Sequence, residues 1–204
     1  MGEIELKNIG IEEFKEKIYL HYVNIFPEEE RKPLILIELS YKKQYTKIIE
    51  ILYQNKIAGF MLLNKITNKG YLVLDYLGIL PEYRNKGIGT KALKILLQQE
   101  KETSGIFIEI EKTGLGKDEK ENLLREKRKK FYENLGFKKL NFDLLLFGVI
   151  YMPYLFSNIE KDEDTIIDEI LSIYKVISGK ERIKQNCKIV KNEDLNKWIE
   201  IILK

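Results

Sequence analysis

LVLDYLGILPEYRNKGIGTKALKILL, residues Leu72 to Leu97, decides how the rest of the chain is read. Leu72 to Leu80 is strongly apolar and reads as a strand buried on both faces. Pro81 ends it. A basic turn follows, Arg84-Asn85-Lys86-Gly87-Ile88-Gly89-Thr90, and then an amphipathic helix over Gly87 to Glu102. Ile88, Ala92, Ile95 and Leu96 make that helix's expected buried stripe. Glycine has no Cβ, so backbone N–H groups at Gly87 and Gly89 can close on a ligand. The helix start adds unpaired donors and the positive end of its dipole. Arg84 and Lys86 bring charge, and the whole reads as a phosphate site. It is not a P-loop, because no G-x-x-x-x-G-K-[ST] precedes the helix, and it lacks the first glycine of G-x-G-x-x-G.

Lys47 to Tyr53 and Ala58 to Ile66 read as antiparallel strands upstream, turning at Gln54-Asn55-Lys56. Asn68-Lys69-Gly70 is the next turn. Met1 to Asn8 reads as a first strand. Ile11 to Ile25 reads as a helix, with Ile11, Phe14, Ile18, Tyr22 and Ile25 on one stripe. Leu34 to Ser40 is apolar enough for a strand or a helix. Downstream, Ile106, Ile108 and Ile110 alternate with Phe107, Glu109 and Glu111, the pattern of a strand over Gly105 to Glu111. Asp118 to Leu135 reads as a charged helix, apolar at Leu124, Phe131 and Leu135, with Gly136 as its stop. Phe137 to Leu140 and Asp143 to Met152 read as closing strands.

Strand, Pro81, Arg84, Gly87, Gly89 and helix together resemble the coenzyme A loop of the GNAT (Gcn5-related) N-acetyltransferases, R/Q-x-x-G-x-G/A. A second segment, Arg128-Lys129-Lys130-Phe131-Tyr132-Glu133-Asn134-Leu135-Gly136-Phe137, resembles the family's F-Y-x-x-x-G-F. The resemblance covers Tyr45 to Met152 and continues weakly to the N-terminus. It implies an α/β (α+β) GNAT fold: a mixed central sheet of about six to seven strands flanked by helices. It also favours a helix at Leu34 to Ser40. The implied organisation is a GNAT domain over 1–152 and a helical extension over 153–204. In the extension, Asp164 can cap a helix running to Ser178, with Ile166, Ile170, Ile173, Tyr174 and Ile177 on one face. Asn192 can cap a last helix carrying Leu195, Trp198, Ile201 and Ile202. Both helices want a surface, either on the core or at a homodimer contact.

The resemblance implies acetyl transfer from acetyl-CoA to a primary amine by direct attack in a ternary complex. The pyrophosphate falls on Arg84, Asn85, Lys86, Gly87, Ile88, Gly89 and Thr90, and Arg128 is the basic residue of the second segment assigned to the phosphates. The pantetheine arm runs along the main chain of Leu77, Gly78 and Ile79, where family members often carry a bulge; Gly78 suits a bulge or close packing. Tyr132 matches the family's general acid; a phenol near pKa 10 stays protonated at neutral pH. An amphipathic core tyrosine is the plainer account. Glu109 matches the base of the ribosomal-protein N-terminal acetyltransferase branch, against a plain solvated glutamate on a strand face. Asp75 is the rival base, since an acid in so apolar a run must be paired, at an edge or functional, and Glu111 is third.

Composition limits the alternatives. The chain has 204 residues, 44% hydrophobic and 33% charged, with net charge +3, which suits one domain with a core and a small appendage and argues against a nucleic-acid partner. Acids interleave the basic run Arg125, Lys127, Arg128, Lys129 and Lys130, so a solvated helix face is its default account. One cysteine, Cys187, makes no internal disulfide and suits a reducing cytoplasm; high Lys, Ile, Asn and Tyr usage is associated with AT-rich bacterial genomes. A single His21 leaves no histidine-rich metal site, so no metal is expected. MGEIELKNIG is too charged for a signal peptide, and no apolar run reaches the roughly 18 residues of a membrane span. The acceptor is expected to be a small amine, with a protein N-terminus or lysine as the alternative. A non-catalytic acyl-CoA-binding module would need neither Tyr132 nor a base.

Overall fold

The apolar alternation of the first hundred residues closes an antiparallel sheet. A computed structural model describes residues 2–191, which cluster into two units, the first ending at Ser104 and the second starting at Gly105. In chain order the first unit contains β1 (Ile4–Ile9), α1 (Ile11–Glu13), α2 (Tyr19–Ile25), α3 (Leu34–Lys42), β2 (Thr46–Tyr53), β3 (Lys56–Asn64), β4 (Tyr71–Ile79) and α4 (Ile88–Gln99). Its strands pair in the order β1-β2-β3-β4, all antiparallel.

A π-helical stretch, Phe14–Ile18, links α1 to α2, so the expected helix over 11–25 is continuous but locally widened by an extra residue in the turn. Phe14, Ile18 and Tyr22 stay on one stripe and are buried against Ile48, Phe60, Leu62 and Tyr76. Ile11 and Ile25 are only partly covered, because the wider turn rotates them off that stripe. The ambiguous run at Leu34 is a helix, α3, which buries Ile37 and Ser40 and leaves Ile35 and Leu39 exposed. The turn between β2 and β3 is two residues, not three: Gln54 and Asn55 take φ of 52° and 60°, and Lys56 already pairs with Tyr53. α4 ends at Gln99, short of Glu102, and buries Leu93 where Ile95 was expected.

The second unit contains β5 (Gly105–Glu111), α5 (Glu119–Glu133), β6 (Lys138–Lys139), β7 (Phe142–Leu146), β8 (Val149–Ser157), α6 (Glu163–Ser178), α7 (Lys180–Asn186) and β9 (Cys187–Lys191). Its antiparallel order is β5-β8-β7-β9, with β6 also on β8. The described strands number nine, four in the first unit and five in the second, against the six or seven expected.

Two further strands, one from a split and one in the extension, account for the difference. The expected single strand Asp143 to Met152 is two strands, β7 and β8, joined by a hairpin at Phe147 (φ 50°) and Gly148 (φ 84°). β8 then runs through Pro153 to Ser157, so the strand crosses the expected boundary at 152. Pro153 lies opposite Glu109, and its carbonyl accepts from Leu140 N–H at 3.0 Å. The extension is not purely helical. α6 is capped by Asp162, whose carboxylate accepts from Thr165 N–H at 2.8 Å, rather than by Asp164. It buries Ile166, Ile170, Ile173 and Tyr174, α7 follows, and β9 then pairs along β7 from Phe142↔Lys191 to Leu146↔Cys187. The helix expected beyond Asn192 lies outside the described residues.

α5 departs from its expected stripe as well. Asp118 caps it, accepting from Glu121 N–H at 2.7 Å, but Leu124 is exposed and the helix's buried residue is Arg125. Arg125 is covered because it has partners: Glu111 at 3.1 Å, Glu121 at 2.5 Å and the carbonyl of Lys112 at 2.9 Å.

Candidate functional site

The turn after β4 has the geometry that its glycines promise. Asn85 (φ 60°) and Gly87 (φ 71°) both take the left-handed conformation, and Gly87 sits at the N-cap of α4. A Cβ on Gly87 would meet nothing within 4 Å, so the mouth of the turn is open. Ile88, Gly89 and Thr90 precede the first intrahelical bond, which runs from Lys91 N–H to Gly87 carbonyl at 3.1 Å. Arg84, Asn85, Lys86 and Gly87 are exposed. Arg84 is turned back on the strand: its Nε–H donates to Ile79 carbonyl at 3.0 Å, while Nη1 and Nη2 have no partner among the described residues. The Lys86 ammonium lies 5.6 Å from the Tyr83 ring centroid. Three cationic or dipolar sources thus gather at one turn, which suits a phosphate.

Leu77, Gly78 and Ile79 pair with Met61, Phe60 and Gly59 of β3. A bulge is present in this strand, but three residues upstream of Gly78. Leu62 faces Tyr76 and Leu63 faces Leu74, which leaves Asp75 as the extra residue. Gly78 serves close packing instead: a Cβ there would lie 2.7 Å from two ring carbons of Phe60.

Asp75, the carboxylate in the apolar run, is paired. Its Oδ2 accepts from Lys32 Nζ at 2.5 Å and from Asn64 Nδ2 at 3.0 Å. Behind it the polar chain continues inward: Thr46 Oγ1 donates to Asn64 Oδ1 (2.7 Å) and lies 2.6 Å from the Ser40 hydroxyl. Lys32 belongs to the Pro27 to Pro33 segment, whose backbone is held by two phenols. Lys32 N–H donates to Tyr22 Oη (2.7 Å) and Tyr76 Oη (3.0 Å), and Tyr76 Oη donates to Glu30 carbonyl (2.7 Å). Burial pushes the Tyr22 phenol up to about 12 and the Tyr76 phenol higher still, so both remain neutral donors.

In the second unit, Tyr132 sits on α5 with its ring edge-on to Phe131 (4.8 Å) and Phe137 (5.5 Å). Burial raises its phenol to about 12, with Arg128 pulling the other way. Glu109 is half-buried and accepts from Tyr174 Oη of α6, whose ring also packs edge-on against Phe107 at 6.4 Å. Glu111 is held at both oxygens, by Arg125 and by Arg128 Nη1 at 2.9 Å. Arg128, expected on phosphate, is therefore in an ion pair within its own unit. Lys32 and Tyr174 are the partners that sequence reasoning did not assign. Each lies far from its carboxylate along the chain, 43 and 65 residues away, so no local pattern announces them. No cluster of side chains suited to a metal occurs among the described residues, and no described helix is long and apolar enough to cross a membrane.

The glycine-capped turn between β4 and α4 and the Phe131-Tyr132 pair on α5 are the two segments that carried the resemblance to the acetyltransferases. Residues 45–139 match the family model described as the acetyltransferase (GNAT) domain. A GNAT-family protein from Bacteroides thetaiotaomicron shares the fold with TM-score 0.66 at 16% identity, covering 86% of this chain and 98% of its own. The ribosomal-protein-S18-alanine N-acetyltransferase from Escherichia coli gives TM-score 0.57 at 12% identity, covering 79% and 98%. Arabidopsis thaliana Naa50, solved with the bisubstrate analogue CoA-Ac-MVNAL, gives 0.55 at 18% identity, covering 76% and 98%. No curated protein matches the sequence.

Proposed function

We propose that this protein is an N-acetyltransferase that moves the acetyl group of acetyl-CoA to a primary amine by direct attack. The observation that carries the reading is the open, glycine-capped turn from Arg84 to Thr90, lying inside the segment that matches the acetyltransferase domain. Bound acetyl-CoA supplies the acyl group as a thioester. The N–H groups of Ile88, Gly89 and Thr90, with Arg84 and Lys86, hold its pyrophosphate. The main chain of Leu77 to Ile79 aligns the pantetheine arm.

Tyr132 donates a proton to the departing sulfur. A phenol at about 12 stays protonated through the whole working range, which an acid requires. Glu109 accepts the proton from the acceptor's ammonium, with Asp75 as the second carboxylate to test. A covalent acetyl-enzyme finds little support in Cys187: burial, with Glu109 adding to it, pushes its thiol up to about 11, away from thiolate. The acceptor is a small amine. The names of the Escherichia coli and Arabidopsis structures favour protein N-termini as the second class to screen.

Calorimetric titration with acetyl-CoA and CoA tests the reading, with ATP and a DNA duplex as controls. Micromolar binding confined to the CoA series is expected. Gly89→Leu should weaken it at least about tenfold by crowding the turn. No binding by folded protein would remove the coenzyme and the roles built on it.

A further inference from the structure

The bulge at Asp75 and the lysine seated on it carry a further reading, which rests on the proposed transferase function and specifies its acceptor subsite. We propose that Asp75 is the anchor for the acceptor's ammonium group, and that Lys32 is an internal ammonium that occupies this anchor until the acceptor displaces it. The occupant is thus a primary ammonium compound, and Pro27 to Pro33 is the latch.

Four observations support this. The bulge leaves Asp75 opposite no residue of β3, so its carboxylate is not committed to the pattern of the sheet. Both hydrogen bonds to Asp75 converge on Oδ2; Oδ1 has no partner among the described residues. The side chain is 17% exposed and that of Lys32 24%, so water and a small cation can reach the pair. Behind the carboxylate, Asn64, Thr46 and Ser40 are all nearly buried and hydrogen-bonded in series, which fixes the orientation of Asp75 and leaves Lys32 as the replaceable partner.

The exchange conserves charge. An R–NH3+ group takes the place of the Lys32 ammonium on the Asp75 carboxylate, and Lys32 moves into water with its own charge intact. The attraction gained and lost is of one kind, so the acceptor's remaining contacts decide the outcome. Neutral compounds cannot compete, because they would leave a partly buried carboxylate without a cation. A quaternary ammonium has the charge but no N–H to give.

The experiment uses the full chain labelled with 15N-lysine. The Lys32 side-chain ammonium signal is assigned by its loss in Lys32→Arg, which keeps the ion pair and the fold. n-Butylammonium chloride is then titrated against tetramethylammonium chloride at equal ionic strength. The expected result is that n-butylammonium abolishes the protection of the Lys32 ammonium from proton exchange while tetramethylammonium leaves it. Asp75→Asn, checked as folded by circular dichroism, should lose that protection with no added amine. A Lys32 signal that ignores n-butylammonium at saturation, or that responds equally to both salts, overturns the proposal; the equal response would be screening alone. Coenzyme titration is independent of this readout. Normal CoA binding with an inert Lys32 defeats only the latch, and a responsive Lys32 without CoA binding defeats only the transferase reading.

Discussion

Gly78→Ala should destabilise the protein although it adds a single methyl group in a strand. The new Cβ would lie 2.7 Å from Cε1 and from Cζ of Phe60 and 3.3 Å from Cδ1 of Ile25. Carbon atoms rest at about 3.5–4.0 Å, so the ring must retreat by most of an ångström. It has little room to do so. Phe60 is fully buried and meets Tyr22 and Phe26 edge-on, with centroids 6.2 Å away in each case. Overpacking of this kind costs about 1–3 kcal/mol. Replacing glycine returns roughly 0.5–1 kcal/mol by restricting the unfolded chain. A net loss centred on about 1 kcal/mol remains, or about 2–4 °C in Tm for a chain of this size. Thermal and urea unfolding of the parent, Gly78→Ala, Phe60→Leu and the double variant would measure it. In the Phe60→Leu background the alanine should cost less, because leucine can turn aside. A Gly78→Ala protein as stable as the parent would refute the packing account. The same two-residue cycle with no coupling would do so as well.

Tyr132→Phe should lower turnover by about two orders of magnitude with coenzyme affinity nearly unchanged; steady-state kinetics beside calorimetry separates the two, and full turnover would remove Tyr132 from the mechanism. Alkaline stability offers an independent check on Tyr22 and Tyr132. Burial pushes both phenols up to about 12 in the folded chain, above the ordinary value near 10. The unfolded chain therefore loses these protons first, so their contribution is complete below pH 10 and is lost as pH rises through 12. Unfolding free energies measured across that window should fall, and less steeply in Tyr132→Phe. Arg125→Met should cost about 2–3 kcal/mol, since it strips the buried guanidinium from Glu111, Glu121 and Lys112 carbonyl; a change under about 0.5 kcal/mol in urea titration would show those contacts to be idle.

What the sequence made legible was local. The alternation at Ile106 to Ile110, the glycines at 87 and 89 and the apolar run of β4 each announce an element through its own residues, and all three are present. What it hid was decided by partners distant in the chain. Phe147-Gly148 turns a hairpin without the usual Asn-Gly signal, so ten consecutive residues read as one strand. Cys187 to Lys191 has little pattern of its own and is a strand because β7 offers it an edge. Leu124 fits a helical stripe, yet the covered position goes to Arg125, whose three partners are Glu111 at the end of β5, Lys112 just beyond it and Glu121 of its own helix. The extra residue in β4 is Asp75 and not Gly78, because register is a property of two strands and glycine is a clue from one.

β9 also sets a timetable for synthesis. Its five residues pair with a strand made 41 to 49 residues earlier, Leu146↔Cys187 at one end and Phe142↔Lys191 at the other. At the usual pace of about 5–20 residues per second, translation needs roughly 2–10 seconds to deliver that cover. Throughout the interval FDLLL has an unsatisfied row of backbone donors and acceptors on its outer side, in a segment with one charge. Until β9 arrives that edge is open to pairing with a neighbouring copy, and Lys188 and Lys191 come with the strand that closes it.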